Sequence, residues 1–184
     1  MKSFKKDIRA LSKEDLMTFF TNHSCKAFRG KQVYEWLWKK GVHRFEDMTN
    51  ISKHNRELLE EFFIINHIQV HNMQRSSDGT IKNAVRLHDG LIVESVLIPS
   101  ANRTTACVSS QVGCSLDCKF CATSRLKRMR NLNSDEIYDQ VMAINKQSCL
   151  YYDKKLTNIV FMGMGEPLMN YNNVLKAIKK ITSD

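Results

Sequence analysis

The spacing of apolar residues divides the chain into a helical first third and a mixed strand and helix remainder. Ser12 and Asp15 form a capping arrangement ahead of Leu16, Phe19 and Phe20, so a helix is expected to begin there. Residues 29–40 carry Val33, Trp36 and Leu37 at helical spacing, and Gly41 ends the run. Residues 52–63 repeat the pattern with Leu58, Leu59, Phe62 and Phe63, whose aromatic rings are expected in a core. Together these segments predict a small three-helix unit over residues 1–66.

Beyond residue 66 the period shortens. Asp78-Gly79 and Asp89-Gly90 are turn dipeptides between extended segments. In "LIVESVLI", residues 91–98, a period of two puts Ile92, Glu94, Val96 and Ile98 on one face. Glu94 is therefore a carboxylate on an apolar stripe. It is either a structural charge, facing solvent or paired, or a buried acid with a raised pKa that can move a proton. From residue 104 the order is strand, loop, helix, strand, loop, helix. "TACVS" is a strand, and Ser134 caps a helix with Ile137, Val141 and Ile144. "NIVFM", residues 158–162, is a second strand, followed by "GMGEP" and a helix with Val174, Leu175, Ile178 and Ile181. Alternating β and α elements imply an α/β fold with parallel strands, and both loops follow the C-terminal ends of strands, where such folds place their sites. Two such units are fewer than a finished barrel or doubly wound sheet needs, so the chain reads as part of a larger domain.

Composition narrows the class. The chain has 184 residues, 42% hydrophobic and 26% charged, as ordinary folded proteins do. "MKSFKKDIRA" is not a signal sequence, and "FFII" (62–65) is the longest uncharged apolar run, too short to span a bilayer. A cytoplasmic location without membrane association is expected. Thiols stay reduced there, and clustered cysteines bind metal or do chemistry rather than form disulfides. The net charge of +9 favours a polyanionic partner, with nucleic acid the first choice. Lys119, Arg125, Lys127, Arg128 and Arg130 surround the cysteine-bearing loop and would attract phosphate if they shared a face.

That loop, "VGCSLDCKFCATSR", places Cys114, Cys118 and Cys121 in a C-x3-C-x2-C pattern, with Cys107 seven positions earlier. Three thiolates so close suit a soft metal centre. Structural zinc takes four ligands, and all six histidines lie at or before His88, so Cys107 alone could complete a local four-cysteine zinc module that binds RNA through its basic surroundings. A [4Fe–4S] cluster held by three cysteines would instead leave one iron open for a substrate or cofactor, unlike the four-cysteine electron-transfer type. Cys25 and Cys149 stand apart and are expected to be buried core thiols.

The C-x3-C-x2-C pattern with Phe120 before its last cysteine resembles the radical S-adenosylmethionine (SAM) superfamily, and "GMGEP" resembles its glycine-rich SAM-binding segment. The wider set "TACVSSQVGCSLDCKFCAT", "RNLN", "FMGMGEPLMNY", "VESVLIP" and "AFRGKQVYEWLWKKGVHRFEDMTNIS" resembles the RlmN/Cfr-type RNA adenine methyltransferases, the RlmN branch in particular. The resemblance implies a partial (β/α)6 barrel beginning at residue 101, preceded by an RNA-binding helical domain over 1–66 and a β-strand extension over 67–100. It implies a [4Fe–4S] cluster on Cys114, Cys118 and Cys121, and SAM contacts from Gly165 and Glu166. Glu94 matches the family's proton acceptor, and Cys107 its resolving cysteine. The implied reaction methylates C2 of an adenine in 23S rRNA and tRNA through a methylcysteine and a 5′-deoxyadenosyl radical, ending in a disulfide. A flavodoxin or ferredoxin would donate the electron, and the protein would act as a monomer. The methyl-carrying cysteine matches no position in this chain, so the chain alone is expected to be inactive. A different radical SAM activity on RNA, methylthiolation, would call for an additional cysteine set that is absent. "CATSRLKRMRNL" also departs from the family's C-A-T-G-K-x-G-F-x-R-N-L. Ser124 and Lys127 stand at glycine positions and Arg128 at a phenylalanine, which predicts a stiffer, more basic loop.

Overall fold

Two of the three helices of the first third begin at serine caps, Ser12 and Ser52, while the one that follows Ala27 has no side-chain cap. The computed structural model describes residues 5–182, and the chain divides into two units, Met1–Asn66 and His67–Asp184. In the first, a short strand β1 (Lys6–Asp7) precedes α1 (Lys13–Asn22), α2 (Phe28–Trp38) and α3 (Lys53–Phe62), and β2 (Phe63–Ile64) pairs in parallel with β1. Ser12 and Asp15 close a capping box. The Asp15 amide donates to Ser12 Oγ at 3.0 Å, and the Ser12 amide donates to the Asp15 carboxylate at 2.9 Å. Leu16, Phe20, Val33, Leu37, Met48, Ile51 and Leu59 form the buried set. Phe62 departs from the expectation of a core ring. It is 42% exposed and packs edge-on against Phe19 and His23 at centroid distances of 5.5 and 4.9 Å. It ends α3 at the rim, where its polar neighbours face outward.

The second unit is built on a five-stranded sheet. Its strands are β3 (Gln69–Arg75), β4 (Ile81–Arg86), β5 (Ile92–Pro99), β6 (Thr104–Cys107) and, after intervening elements, β9 (Asn158–Val160), in the spatial order β3-β4-β5-β6-β9. The pairs from β3 to β6 are antiparallel, and β6 to β9 is parallel. Gly79 and Gly90 take positive φ, +87° and +84°, as the hairpin turns demand. Between β6 and β9 lie a short antiparallel pair, β7 (Gln111–Val112) and β8 (Arg130–Asn131), and the long helix α4 (Ser134–Tyr152). Helix α5 (Tyr171–Thr182) follows β9.

The α4 and α5 helices cover one face of this sheet. Ile81, Leu97, Ala106 and Val108 pack with Val141 and Ile144, and Val85 and Val93 pack with Ile137, Val174 and Ala177. Asn83 and Gln147 are tied side chain to side chain by two amide hydrogen bonds of 2.9 and 2.8 Å, which fixes β4 against α4. The face carrying Ile92, Glu94, Val96 and Ile98 is the opposite one. Those residues share a face as their period requires, but Val93, Ser95 and Leu97 form the buried side of β5. Two boundaries and one buried position also differ from expectation. Asn133, not Ser134, is the N-cap of α4, and its amide donates to the Glu136 carboxylate at 2.9 Å. Strand β9 ends at Val160 rather than Met162, because the chain leaves the ladder there to cross the segment after β6. Ile178 is 37% exposed, and Ala177 takes the buried position on α5. Among the described residues no helix is long and apolar enough to cross a membrane.

Helices α1 and α2 approach so closely at Gly30 that an added Cβ would sit 2.4 Å from the Met17 nitrogen. Alanine gains about 1 kcal/mol of helix propensity over glycine, but overpacking against backbone costs about 1–3 kcal/mol. Gly30→Ala should therefore lower the chain's thermal midpoint, as read by circular dichroism.

Candidate functional site

The strand β6 does not turn directly into its loop. The amides of Ser110 and Gln111 both donate to the Met164 carbonyl, at 2.9 and 3.2 Å, and the Gly163 amide donates to the Val108 carbonyl at 3.1 Å. Residues 108–111 are thus laid against residues 160–166. A Cβ on Gly163 would lie 2.7 Å from Ser109 Oγ, and one on Gly165 2.4 Å from Gln111 Cβ. Gly165 also holds φ at +91°, so the close approach and the backbone conformation both require glycine.

Buried side chains satisfy the backbone of this crossing. Ser109 Oγ donates to the Glu94 carbonyl at 2.6 Å and accepts the Met164 amide at 2.8 Å. Gln140 grips the main chain of Ser109 twice, accepting its amide at 3.0 Å and donating to its carbonyl at 3.2 Å. Gln111 accepts the Glu166 amide at 3.0 Å and donates to Asn131 at 2.7 Å. Asn170 donates to the carbonyls of Ser110 and Leu132, both at 2.8 Å. Buried peptide groups left unpaired would be costly, which accounts for a polar "SSQ" directly after a strand. The sequence reading missed Ser109, Gln111, Gln140 and Asn170. Only that polar run gave a signal.

The β7–β8 pair closes the base of the cysteine loop, with Gln111 opposite Asn131 and Val112 opposite Arg130. Arg130 is not part of an outward basic face. Its guanidinium forks onto Glu136 through two bonds of 2.8 Å and reaches Asp89 at 2.7 Å. The Glu136 side chain is 2% exposed, and His88 Nδ1 stands 3.2 Å from it. The hydrogen bonds that Arg130 donates to Glu136 raise its pKa against the opposing effect of burial. Burial pushes the Asp89 carboxyl up, but its bonds from Arg130 and the Leu91 amide outweigh that and leave it below the ordinary range. Lys119, Arg125, Lys127 and Arg128 are exposed, so four of the five cations are available on the loop.

Cys114, Cys118, Cys121, Gly163, Gly165 and Glu166 line one recess at the ends of β6 and β9. The Leu116 amide donates to Cys114 Sγ at 3.4 Å, and the amides of Thr123 and Ser124 hold the Cys121 thiol below its ordinary pKa. Ser124, at a glycine position of the family pattern, donates to the carbonyls of Cys118 and Cys121 at 3.0 and 2.7 Å. Its hydroxyl staples the loop between those two cysteines. Glu166 caps the turn Pro167–Asn170, accepting the Leu168 amide at 3.0 Å. Phe120 is 94% exposed at the loop's tip. Among the described residues no three His, Cys, Asp or Glu side chains converge on a single metal position, the arrangement a tetrahedral zinc site uses. A four-iron cluster binds each ligand to a separate iron and does not require such convergence.

Cys107 and Glu94 lie outside the recess, on the face of the sheet that the helices leave open. Cys107 is opposite Val96 on β5, and Glu94 is the next residue on the same face. Glu94 is not buried. Its carboxylate pairs with Lys82 of β4 at 2.6 Å. Burial pushes the Cys107 thiol up, partly offset by a backbone hydrogen bond with Met162. All six cysteines are free. Cys25 is half-buried and donates to Asn55, whereas Cys149 is exposed on α4 rather than in the core.

Two expectations follow. Arg130→Met should destabilise the chain by about 3 kcal/mol, because it strands a buried carboxylate. Adding Glu136→Gln should recover part of the loss in urea unfolding, and a loss that the second change deepens would contradict the assignment. A raised thiol pKa means less thiolate near neutral pH. Cys107 should therefore be alkylated more slowly at about pH 7.5 in the folded chain than after denaturation, with a rate that climbs as the pH rises.

Known proteins share these features. Residues 6–65 match the family described as the ribosomal RNA large subunit methyltransferase N-terminal domain, and residues 108–184 match the radical SAM superfamily. A "Probable dual-specificity RNA methyltransferase RlmN" from Flavobacterium johnsoniae is 73% identical over 98% of this chain and 52% of its own length. A "Dual-specificity RNA methyltransferase RlmN" from Geotalea uraniireducens is 44% identical over 97% of this chain and 50% of its own. The crystal structure of a radical SAM methyltransferase from Sphaerobacter thermophilus superposes with a TM-score of 0.83 at 31% identity, over 97% of this chain and 52% of that one. The chain spans about half the length of the curated relatives it matches. With the two matched regions in this order, and the three cysteines and glycine-rich loop joined in one recess, the chain is similar over nearly its whole length to RlmN-type radical SAM proteins.

Proposed function

We propose that this chain is the N-terminal portion of a radical SAM methyltransferase that methylates C2 of an adenine in 23S rRNA and in tRNA. The observation that carries the reading is the shared recess, in which Cys114, Cys118 and Cys121 face Gly163, Gly165 and Glu166. The donor set fits a soft cluster, since three half-buried thiols line one recess and backbone amides favour thiolate at Cys121. Cys114, Cys118 and Cys121 would hold a [4Fe–4S] cluster. Gly165 lets the backbone approach SAM, and Glu166 supplies a carboxylate for its ammonium group. When bound, the cluster and SAM supply a radical that replaces polar methyl transfer at a carbon too poor in electrons for it.

The remaining roles fall to this chain's open sheet face and basic loop. Glu94 accepts the C2 proton. Cys107 resolves the covalent RNA adduct: its thiolate attacks the sulfur of the methyl-carrying cysteine, the S–S bond forms as the sulfur–carbon bond breaks, and that bond's electron pair goes to the carbon, which takes up a proton. Lys119, Arg125, Lys127 and Arg128 contact RNA phosphates, and the helical unit over 1–66 adds a second RNA contact. A flavodoxin- or ferredoxin-type protein donates the electron, and the protein works in the cytoplasm as a monomer. The four-cysteine zinc reading is the weaker one. Cys107 lies on β6 and is not among the residues that line the recess.

Anaerobic reconstitution with iron and sulfide tests the cluster in this chain. It should give a broad visible absorption bleached by dithionite, lost in Cys114→Ala, Cys118→Ala or Cys121→Ala and kept in Cys107→Ala. Stoichiometric zinc with no bleachable absorption would overturn the cluster. In the full-length parent, Cys107→Ala should accumulate protein cross-linked to RNA. Free methylated RNA at the parental yield would refute the resolving role.

A further inference from the structure

We infer that Lys82 is a positioning residue for the reaction, holding the Glu94 carboxylate in place with one oxygen engaged and the other presented to substrate. The inference rests on the reading above, in which Glu94 takes the proton from adenine C2. Its support is in the sheet itself.

Lys82 and Glu94 are not directly opposed. In the β4–β5 register Glu94 faces Ala84, and Lys82 faces Val96. Lys82 reaches diagonally to place Nζ 2.6 Å from Glu94 Oε1, although both side chains are about half exposed and could extend into water. Among the described residues the Glu94 carboxylate has no other hydrogen-bond or ion-pair partner, so Oε2 is unengaged. The main chain of the same residue is anchored separately, through Ser109 Oγ and the Glu94 carbonyl at 2.6 Å. Ser109 also accepts the Met164 amide, so the acid is referenced directly to the glycine-rich loop. Cys107 shares its face, about 7 Å along the strand and one strand spacing of about 5 Å across.

A half-exposed ion pair contributes little to stability, so its geometry calls for another account. A general base must be fixed and open at one lone pair. Lys82 meets the first requirement through Oε1 and leaves Oε2 for the second. In the step itself the C2–H bond breaks, the proton passes to Oε2, and the bonding electron pair stays in the purine adduct. Lys82 keeps its own protons throughout, and its N–H continues to donate to the carboxyl group. The competing account is a solvated surface pair, which predicts no effect on the reaction.

The test uses the full-length parent with RNA carrying hydrogen or deuterium at C2 of the target adenine. Lys82→Met should keep its iron content, SAM binding and thermal midpoint, yet form methylated RNA at least tenfold more slowly. A deuterium isotope effect absent from the parent should appear, because proton removal becomes limiting. Lys82→Arg should restore most of the rate and suppress that effect. A parental rate in Lys82→Met overturns the inference alone. So does a slow rate without an isotope effect, or one matched by loss of SAM binding. A parent that forms no C2-methyladenine overturns the functional reading along with it.

Discussion

The structure depends on one close approach between two backbones. Residues 108–111 and 160–166 are pressed together until a single methyl group at Gly163 or Gly165 would collide with Ser109 or Gln111. Everything chemically suggestive in the second unit is referenced to that contact. The cysteine loop leaves from one side of it and the "GEP" turn from the other, so their separation is set by main chain rather than by flexible side chains. The cost is a stretch of peptide groups removed from water. Ser109, Gln111, Gln140 and Asn170 meet that cost with eight hydrogen bonds to groups of the crossing and its neighbours.

The other end of the loop is held by charge. Arg130 bridges the turn after β4, through Asp89, and the first turn of α4, through Glu136. A buried pair of this kind gains little over an apolar pair, because desolvation offsets the attraction. What it provides is direction, since a bidentate fork accepts one orientation of its partner. The loop is therefore suspended between a glycine contact and an arginine clamp. Between those ends it is free to present four cations and an exposed Phe120 outward.

Much of this was legible in sequence. Helical spacing, the Ser12–Asp15 box and the two Asp-Gly turns place the main elements because each depends on local chemistry. The face shared by Ile92, Glu94, Val96 and Ile98 was legible too, but not which face was covered. That depends on α4 and α5, which pack over Val93 and Leu97 from far along the chain. Arg130 was misread for the same reason. Its partners lie 41 and 6 positions away, so a run of basic residues looked uniform when one of them turned inward. Cys149 had no local feature to mark it as exposed. The cysteine loop and the "GMGEP" turn were recognisable because their constraint, glycine and cysteine at fixed spacing, is written in residue type.

The six cysteines illustrate how one fold separates thiol chemistry. Cys121 sits where backbone amides favour thiolate, while Cys107, fourteen positions earlier in the chain, sits where burial opposes it. Its place on β6 also sets Cys107 apart from the three cysteines that line the recess. The open face around it points the same way. Ile92 and Ile98 are 43% and 42% exposed beside a carboxylate–ammonium pair, which gives a surface neither as dry as a core nor as polar as an ordinary exterior. Whether backbone amides or burial dominates around the sulfur is enough to move the two thiols in opposite directions.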